Sequence, residues 1–272
     1  MSNIFEILDS NEFKERLSAV MLEPRKLERF LAIAKTELRN NPRIASCEIK
    51  SLCGAIVQAG QFGLDLNGMQ GHAYLTERGG RCQLIIGYKG MIALGVRSEK
   101  LLSLEVQKVC QNDMFKRRHG DNKGLEHEPN DKADRGKIIG YYAYAHLVNH
   151  DKAFEYMSME EIEKLKKEAH VVMTPNSAWV KFEDAMCKKT VIRQLFKYQS
   201  LSAEMDKAIS LDEMADAGVQ SDALSKIGAD FVKNDENMTE APSKMPEVLP
   251  EGWSRVNEVK EIKEEGEQQE LL

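Results

Sequence analysis

From residue 179 to 198 the chain runs without a helix breaker, and its apolar positions recur at helical spacing. At 100° per residue Trp179, Phe182, Ala185, Met186, Ile192 and Phe196 share one arc. The pattern predicts a long amphipathic helix, with Asn176 or Ser177 as its N-terminal cap. The same period appears near the start. Pro24 opens a helix whose stripe is Leu27, Phe30, Leu31, Ala34 and Leu38, and Asn40-Asn41-Pro42 stops it. Ser46 is placed to cap a second helix through Ile49, Leu52, Ile56 and Ala59, which Gly63 ends.

After Gly71 the period changes from 3.6 to two. Residues 72–76 and 81–86 read as short strands around Gly79-Gly80, a hairpin signal. Residues 88–97 read as a short helix; 101–111, 137–148 and 152–157 alternate as strands. Between the first two of these, 116–136 is polar and charged, opening with KRRHG, and is expected to be a loop or projecting excursion. Ser158 with Glu161 forms a capping box for a helix through Ile162 and Leu165, and a further helix is expected from 202 to about 217. Helices, then a β-rich middle, then helices indicate an α+β fold: N-terminal helices, a central antiparallel segment with a hairpin, and a long basic C-terminal helix. From 218 on, Pro242, Pro246 and Pro250 and the scarcity of large apolar residues predict a flexible acidic tail. The expected organisation is a core over 1–217 and a tail over 218–272.

Charge sharpens this division. The net charge of −6 is unevenly spread. Residues 1–198 carry a net +5 and residues 199–272 a net −11, the mark of a mildly basic body with an acidic tail. On the long helix Lys189, Arg193 and Lys197 recur at i, i+4 and i+8, about 6 Å apart along the axis, and Lys181 and Lys188 make a second row. Such an edge suits a phosphate backbone; solvated surface lysines are the plain alternative. In the GYKG turn Tyr88 and Lys89 stand beside glycines that permit close backbone approach, with Arg97 two turns on and Lys137 at a strand entry as further cations. Tyr74, Tyr88 and Tyr198 are candidates for stacking unpaired bases; for Trp179 and Phe196 core packing is the better reading.

Catalytic constellations are not evident in the sequence. There is no G-x-x-x-x-G-K-[ST], no G-x-G-x-x-G between strand and helix, no H-E-x-x-H and no G-x-S-x-G. The E-x-K triplets at 12–14, 48–50 and 261–263 lack an aspartate on a neighbouring strand, as nuclease metal chemistry requires. The five cysteines are scattered and odd in number, which fits buried thiols in a reducing compartment. No apolar run reaches the ~18 residues of a membrane span, and the start lacks a signal-peptide pattern, so a cytoplasmic protein without metal or cofactor is expected.

Together GHAYL (71–75), CQLIIGYKGMIALG (82–95) and EDAMCKKTVIRQLFKY (183–198) resemble the RecT family of phage and prophage single-strand annealing proteins. The resemblance runs from about Leu27 to about Asp216 and includes QFGLDLNG (61–68) and TPNSAW (174–179). Departures are Leu66 where members often have proline, the TERGGR turn (76–81), and Gln194 at a position commonly arginine. The resemblance implies ATP-independent binding of single-stranded DNA, annealing to duplex, promotion of homologous recombination, and assembly into rings or helical filaments. It implies no enzymatic step, and direct backbone contacts among Lys188, Lys189, Arg193 and Lys197. A tail that engages a phage exonuclease or a host single-strand-binding protein is implied too, with Trp253 and Leu271-Leu272 as anchor candidates. The competing expectation is a metal-dependent nuclease with a basic binding surface.

Overall fold

The centre of the molecule is a helix with almost no exposed side. In the computed structural model every residue from Ser51 to Gly60 is buried. The structure describes residues 3–66, 70–131, 134–149, 151–168, 178–199, 201–216 and 218–232. Along this stretch the helices are α1 Ile4–Asp9, α2 Asn11–Val20, α3 Leu27–Asn40, α4 Pro42–Ala45, α5 Ile49–Gln61, α6 Tyr88–Arg97, α7 Met159–Glu168, α8 Ala178–Lys181, α9 Glu183–Lys197, α10 Ala203–Asp216 and α11 Gln220–Ala229. The strands are β1 Ala73–Arg78, β2 Arg81–Ile86, β3 Leu101–Cys110, β4 Met114–Arg118, β5 Gly124–Glu128, β6 Ile138–Leu147 and β7 Lys152–Ser158. Helices flank antiparallel sheets, the α+β arrangement that the periodicity predicts.

Helix ends follow local chemistry. Asn3 and Glu6 form a reciprocal capping box on α1, and Ser10 both ends α1 and accepts the Phe13 N–H to start α2. The stripe predicted for α3 is buried at Phe30, Leu31, Ala34 and Leu38. Ser46 does not cap α5: its hydroxyl donates to the Arg43 carbonyl at 2.9 Å, and the N-cap position is held by Glu48, whose side chain does not cap it. At the far end Leu64 N–H reaches the Ala59 carbonyl and Gly63 N–H the Gly60 carbonyl, with Gly63 at φ +57°. That left-handed Schellman closure explains the glycine. Ser158 and Glu161 complete the predicted capping box on α7.

β1 and β2 pair across Gly79-Gly80, whose positive φ values of 62° and 76° suit the tight hairpin turn. Cys82, Leu84 and Ile86 on one face of β2 are buried against α5 and the rest of the core. A second sheet has the order β3-β6-β7, all antiparallel. Among the described residues all five cysteines are buried and unpaired. Burial pushes the Cys47 and Cys187 thiols up to about 11 and Cys53 to about 12, so they stay neutral thiols.

Three expectations need correction. The segment 116–136 is not simply a loop: β4 and β5 form a hairpin, with Phe115 opposite His127 and Lys116 opposite Glu126. The single helix over 179–198 is two. Phe182, at φ −136°, ends α8 and precedes α9, and its ring is 64% exposed instead of sharing the apolar arc. The packed body also continues past 217. Helix α11 lies on α5 so closely that a methyl group on Gly54 would meet the Leu224 carbonyl oxygen at 1.9 Å. The Gln220 amide adds to this by accepting the Leu84 N–H at 2.8 Å and donating to the Leu84 carbonyl at 2.7 Å. It occupies the open edge of β2 as a neighbouring strand would. The cap candidates Asn176 and Ser177, and the tail from 233 with its three prolines, Trp253, Leu271 and Leu272, lie outside the described residues.

Candidate nucleic-acid interface

The cationic row on α9 faces another helix. Lys189 is only 4% exposed, and its ammonium donates to Asp212 at 2.6 Å. Arg193 donates to the second oxygen of Asp212 at 3.0 Å and also to Asp216, while Lys197 pairs with Glu213. The i, i+4, i+8 spacing thus meets a complementary acidic row on α10. Arg193 is held firmly cationic: the two carboxylates outweigh the burial that opposes its charge. Lys188 pairs with Asp184 at 2.7 Å on its own helix, and Asp184 accepts from the Tyr141 hydroxyl at 3.1 Å. Lys189 and Arg193, committed to Asp212, are therefore interhelical cross-links, which corrects their reading as an exposed edge. Sequence periodicity places a row on one face of a helix; it does not say what that face meets.

The other candidates are dispersed. Arg97 donates to the Phe62 carbonyl at 2.6 Å, closing the C-terminal end of α5 where carbonyls and dipole favour a cation. Its partial burial lowers its pKa from the usual value. Lys137 is exposed just before β6, and Lys181 is exposed at the end of α8. Tyr198 is 78% exposed at the end of α9. Trp179 is partly buried against the core, with the Lys166 ammonium 4.9 Å from its ring centre.

Tyr74, Tyr88 and Lys89 do come together, around Gly71. Gly71 has φ +72°, and a methyl group on it would sit 3.1 Å from the Tyr74 hydroxyl oxygen and 3.4 Å from Lys89 Cδ. The glycines of the GYKG turn are used by the chain on itself. A methyl on Gly87 would meet the Gly71 carbonyl oxygen at 2.2 Å, and one on Gly90 the His72 carbonyl oxygen at 2.1 Å. Gly87 N–H also donates to the His72 carbonyl at 2.9 Å. The start of α6 is thereby pressed against the entry to β1. Tyr74 remains 39% exposed and Lys89 exposed, with Tyr88 half-buried between them. Burial, then the neighbouring Tyr88, raises the Tyr74 pKa, so the ring stays a neutral phenol. Two phenol rings and an ammonium on one knuckle can stack a base and neutralise its phosphate.

The sequence reading missed the cations of the β4–β5 hairpin as a site. Lys116, Arg117, Arg118 and Lys123 are exposed, and among the described residues none is ion-paired. The KRRHG run was the available signal. A buried pin fixes the hairpin's base: Asp113, with no exposed side-chain surface, accepts from Arg135 at 2.7 and 3.0 Å and from the Cys110 and Asn130 N–H groups, and lies 3.1 Å from His127 Nε2. The Arg135 hydrogen bonds hold its carboxyl far below the usual range. Among the described residues no group of three or more His, Cys, Asp or Glu side chains is placed to hold a metal ion. Nor is any helix there long and apolar enough to cross a membrane.

Known proteins place this body in the class of DNA recombination proteins that anneal strands. A sequence model of the RecT family matches residues 28–225, which spans α3 to α11 and includes both the Gly71 knuckle and the hairpin. Protein RecT of Escherichia coli (strain K12) is 36% identical over 220 residues, covering 78% of this chain and 81% of its own length. Uncharacterized protein YqaK of Bacillus subtilis (strain 168) is 28% identical over 199 residues, covering 71% and 67%. The chain belongs to the RecT family.

Proposed function

We propose that the protein binds single-stranded DNA through its sugar-phosphate backbone and exposed aromatic rings. It then pairs complementary strands without nucleotide hydrolysis or any other catalytic step, working in the cytoplasm as a ring or helical filament of identical subunits. The observation that carries this reading is the family match over residues 28–225, within which Tyr74 and Lys89 stay exposed beside the half-buried Tyr88 on one knuckle. Base pairing itself drives the reaction. The protein lowers the repulsion between two polyanions and holds bases where they can be sampled. Lys137, Lys181 and Tyr198 are offered as further contacts, because each is exposed. Residues 233–272 supply the acidic segment that would dock a phage exonuclease or a host single-strand-binding protein, kept off the DNA by its own charge.

The test mixes dye-labelled complementary oligonucleotides with the full chain in buffer without ATP. Acceleration of pairing that ATP does not change supports the proposal. An ATP requirement, or cleavage of the strands on adding Mg²⁺ or Mn²⁺, would contradict it.

A further inference from the structure

The ion pairing of this protein divides its cations into two populations. Those on α9 are matched by carboxylates: Lys188 by Asp184, Lys189 by Asp212, Arg193 by Asp212 and Asp216, Lys197 by Glu213. Those on the β4–β5 hairpin are not. The hairpin, residues 114–128, holds Lys116, Arg117, Arg118 and Lys123 with Asp121, Glu126 and Glu128, and although Lys116 stands opposite Glu126 none of the four cations is in an ion pair among the described residues. The cations are also seated with care. On the sheet-facing side of β4 the alternation of Phe115 and Arg117, continued by His119 just past the strand, lays each over an aromatic ring of the β3-β6-β7 sheet. Phe115 stacks on Tyr142 at 5.9 Å and leans on Tyr156 at 5.1 Å. The Arg117 guanidinium carbon lies 4.3 Å above the centre of the Tyr156 ring. His119 lies 5.0 Å from Phe154, and the Lys123 ammonium comes within 5.9 Å of that ring from the turn just before β5. These contacts seat Arg117 and Lys123 against aromatic rings while both stay exposed, and Lys116 and Arg118, exposed too, occupy the opposite face of β4. The Asp113–Arg135–His127 pin fixes the base of the hairpin to the body.

We propose that this hairpin is a second nucleic-acid contact, an arm that neutralises backbone phosphates at a place separate from the Gly71 knuckle. It rests on the single-strand-binding reading above. Its occupant is a phosphodiester chain, because four exposed cations, none held in an ion pair among the described residues and spaced along a narrow ribbon, match a linear array of single negative charges. The arm contributes neutralisation without sequence preference, since phosphate contacts carry no base information.

The test compares the full chain with Arg117→Ala/Arg118→Ala/Lys123→Ala, measuring affinity for a long single strand over a range of salt. Neutralising a phosphate of single-stranded DNA contributes about 0.7 to the slope of log affinity against log salt, so the variant should lose about 2. Binding should weaken for every sequence alike, with the melting transition retained. A second measurement does not depend on these substitutions. With all five native cysteines buried, Asn122→Cys at the turn carries a photo-crosslinker selectively. It should attach to bound oligonucleotide. If wild type binds DNA but the triple variant keeps its affinity and slope and the turn does not crosslink, the arm is overturned while the single-strand reading stands. If wild type binds no single strand, the parent reading falls and the arm with it. Normal DNA binding with lost self-association would make the arm a protein contact and overturn the proposal.

Discussion

Lys189 and Lys89 show how the same residue type acquires opposite roles. Lys189 and Asp212 are both buried, and Asp212 has no exposed surface. Removing one partner leaves a carboxylate in low dielectric with only Arg193 to compensate it. Lys189→Ala should therefore destabilise the fold by about 3 kcal/mol in a denaturant melt, whether or not DNA is present. Lys89→Ala should leave the melt unchanged within about 0.5 kcal/mol and lower the salt slope for single-strand binding by about 0.7. Tyr74→Ala should weaken binding by about 1–3 kcal/mol if its exposed ring stacks a base. Asp113 supplies a pH test. Its folded pKa is depressed, chiefly by Arg135, so its contribution is fully present above the unfolded value of about 3.9 and is lost as pH falls below it. Asp113→Asn should flatten the acid limb of the stability curve while lowering stability at neutral pH. An acid limb equally steep in the variant would contradict the assignment.

At the scale of elements, most of what the pattern predicts is present: the α3 stripe, the β1–β2 hairpin, α6, the three long strands and the α7 capping box all lie where the periodicity puts them. The misreadings have physical causes. In the β4–β5 hairpin three adjacent cations hide the alternation, and the base is fixed by Asp113, whose four hydrogen-bonding residues are Cys110 at the end of β3, His127 on β5, and Asn130 and Arg135 beyond it. The α8–α9 break sits at Phe182, a residue with no breaker chemistry, so composition gives no warning of it. The α9 row was legible as a row. Its facing partner was legible only as Asp212, Glu213 and Asp216, on a helix that sequence alone does not bring alongside. Helix α11 was hidden by the polar character of its neighbourhood, although Leu224 is fully buried on it and Gly228 lies against α5. A methyl on Gly228 would come within 1.8 Å of the Lys50 carbonyl oxygen, so Gly228→Ala should push α11 off α5 and lower the melting temperature. Truncation after 217 should be more damaging, because it removes α11 and reopens the β2 edge, whereas truncation after 232 should leave the melt near that of the full chain. Equal melting temperatures for the two truncations would count against the packed role of α11.

For the whole molecule, the basic body and the acidic segment from 233 on are separate electrostatic problems. Within the body, carboxylates of α10 already neutralise the α9 row, so the exposed cations of the Gly71 knuckle and the β4–β5 hairpin, with Lys137 and Lys181, are the candidates for meeting a polyanion among the described residues. Family membership gives the class of activity; the distribution of unpaired charge says where on the fold to look for it. The most direct measurement is the affinity of the full chain for a single-stranded oligonucleotide in nucleotide-free buffer, taken over a range of salt concentrations. The account predicts tight binding at low salt and a straight fall of log affinity against log salt, with a slope of about −0.7 for each phosphate neutralised. A flat line, or binding that appears only when ATP is added, would contradict it.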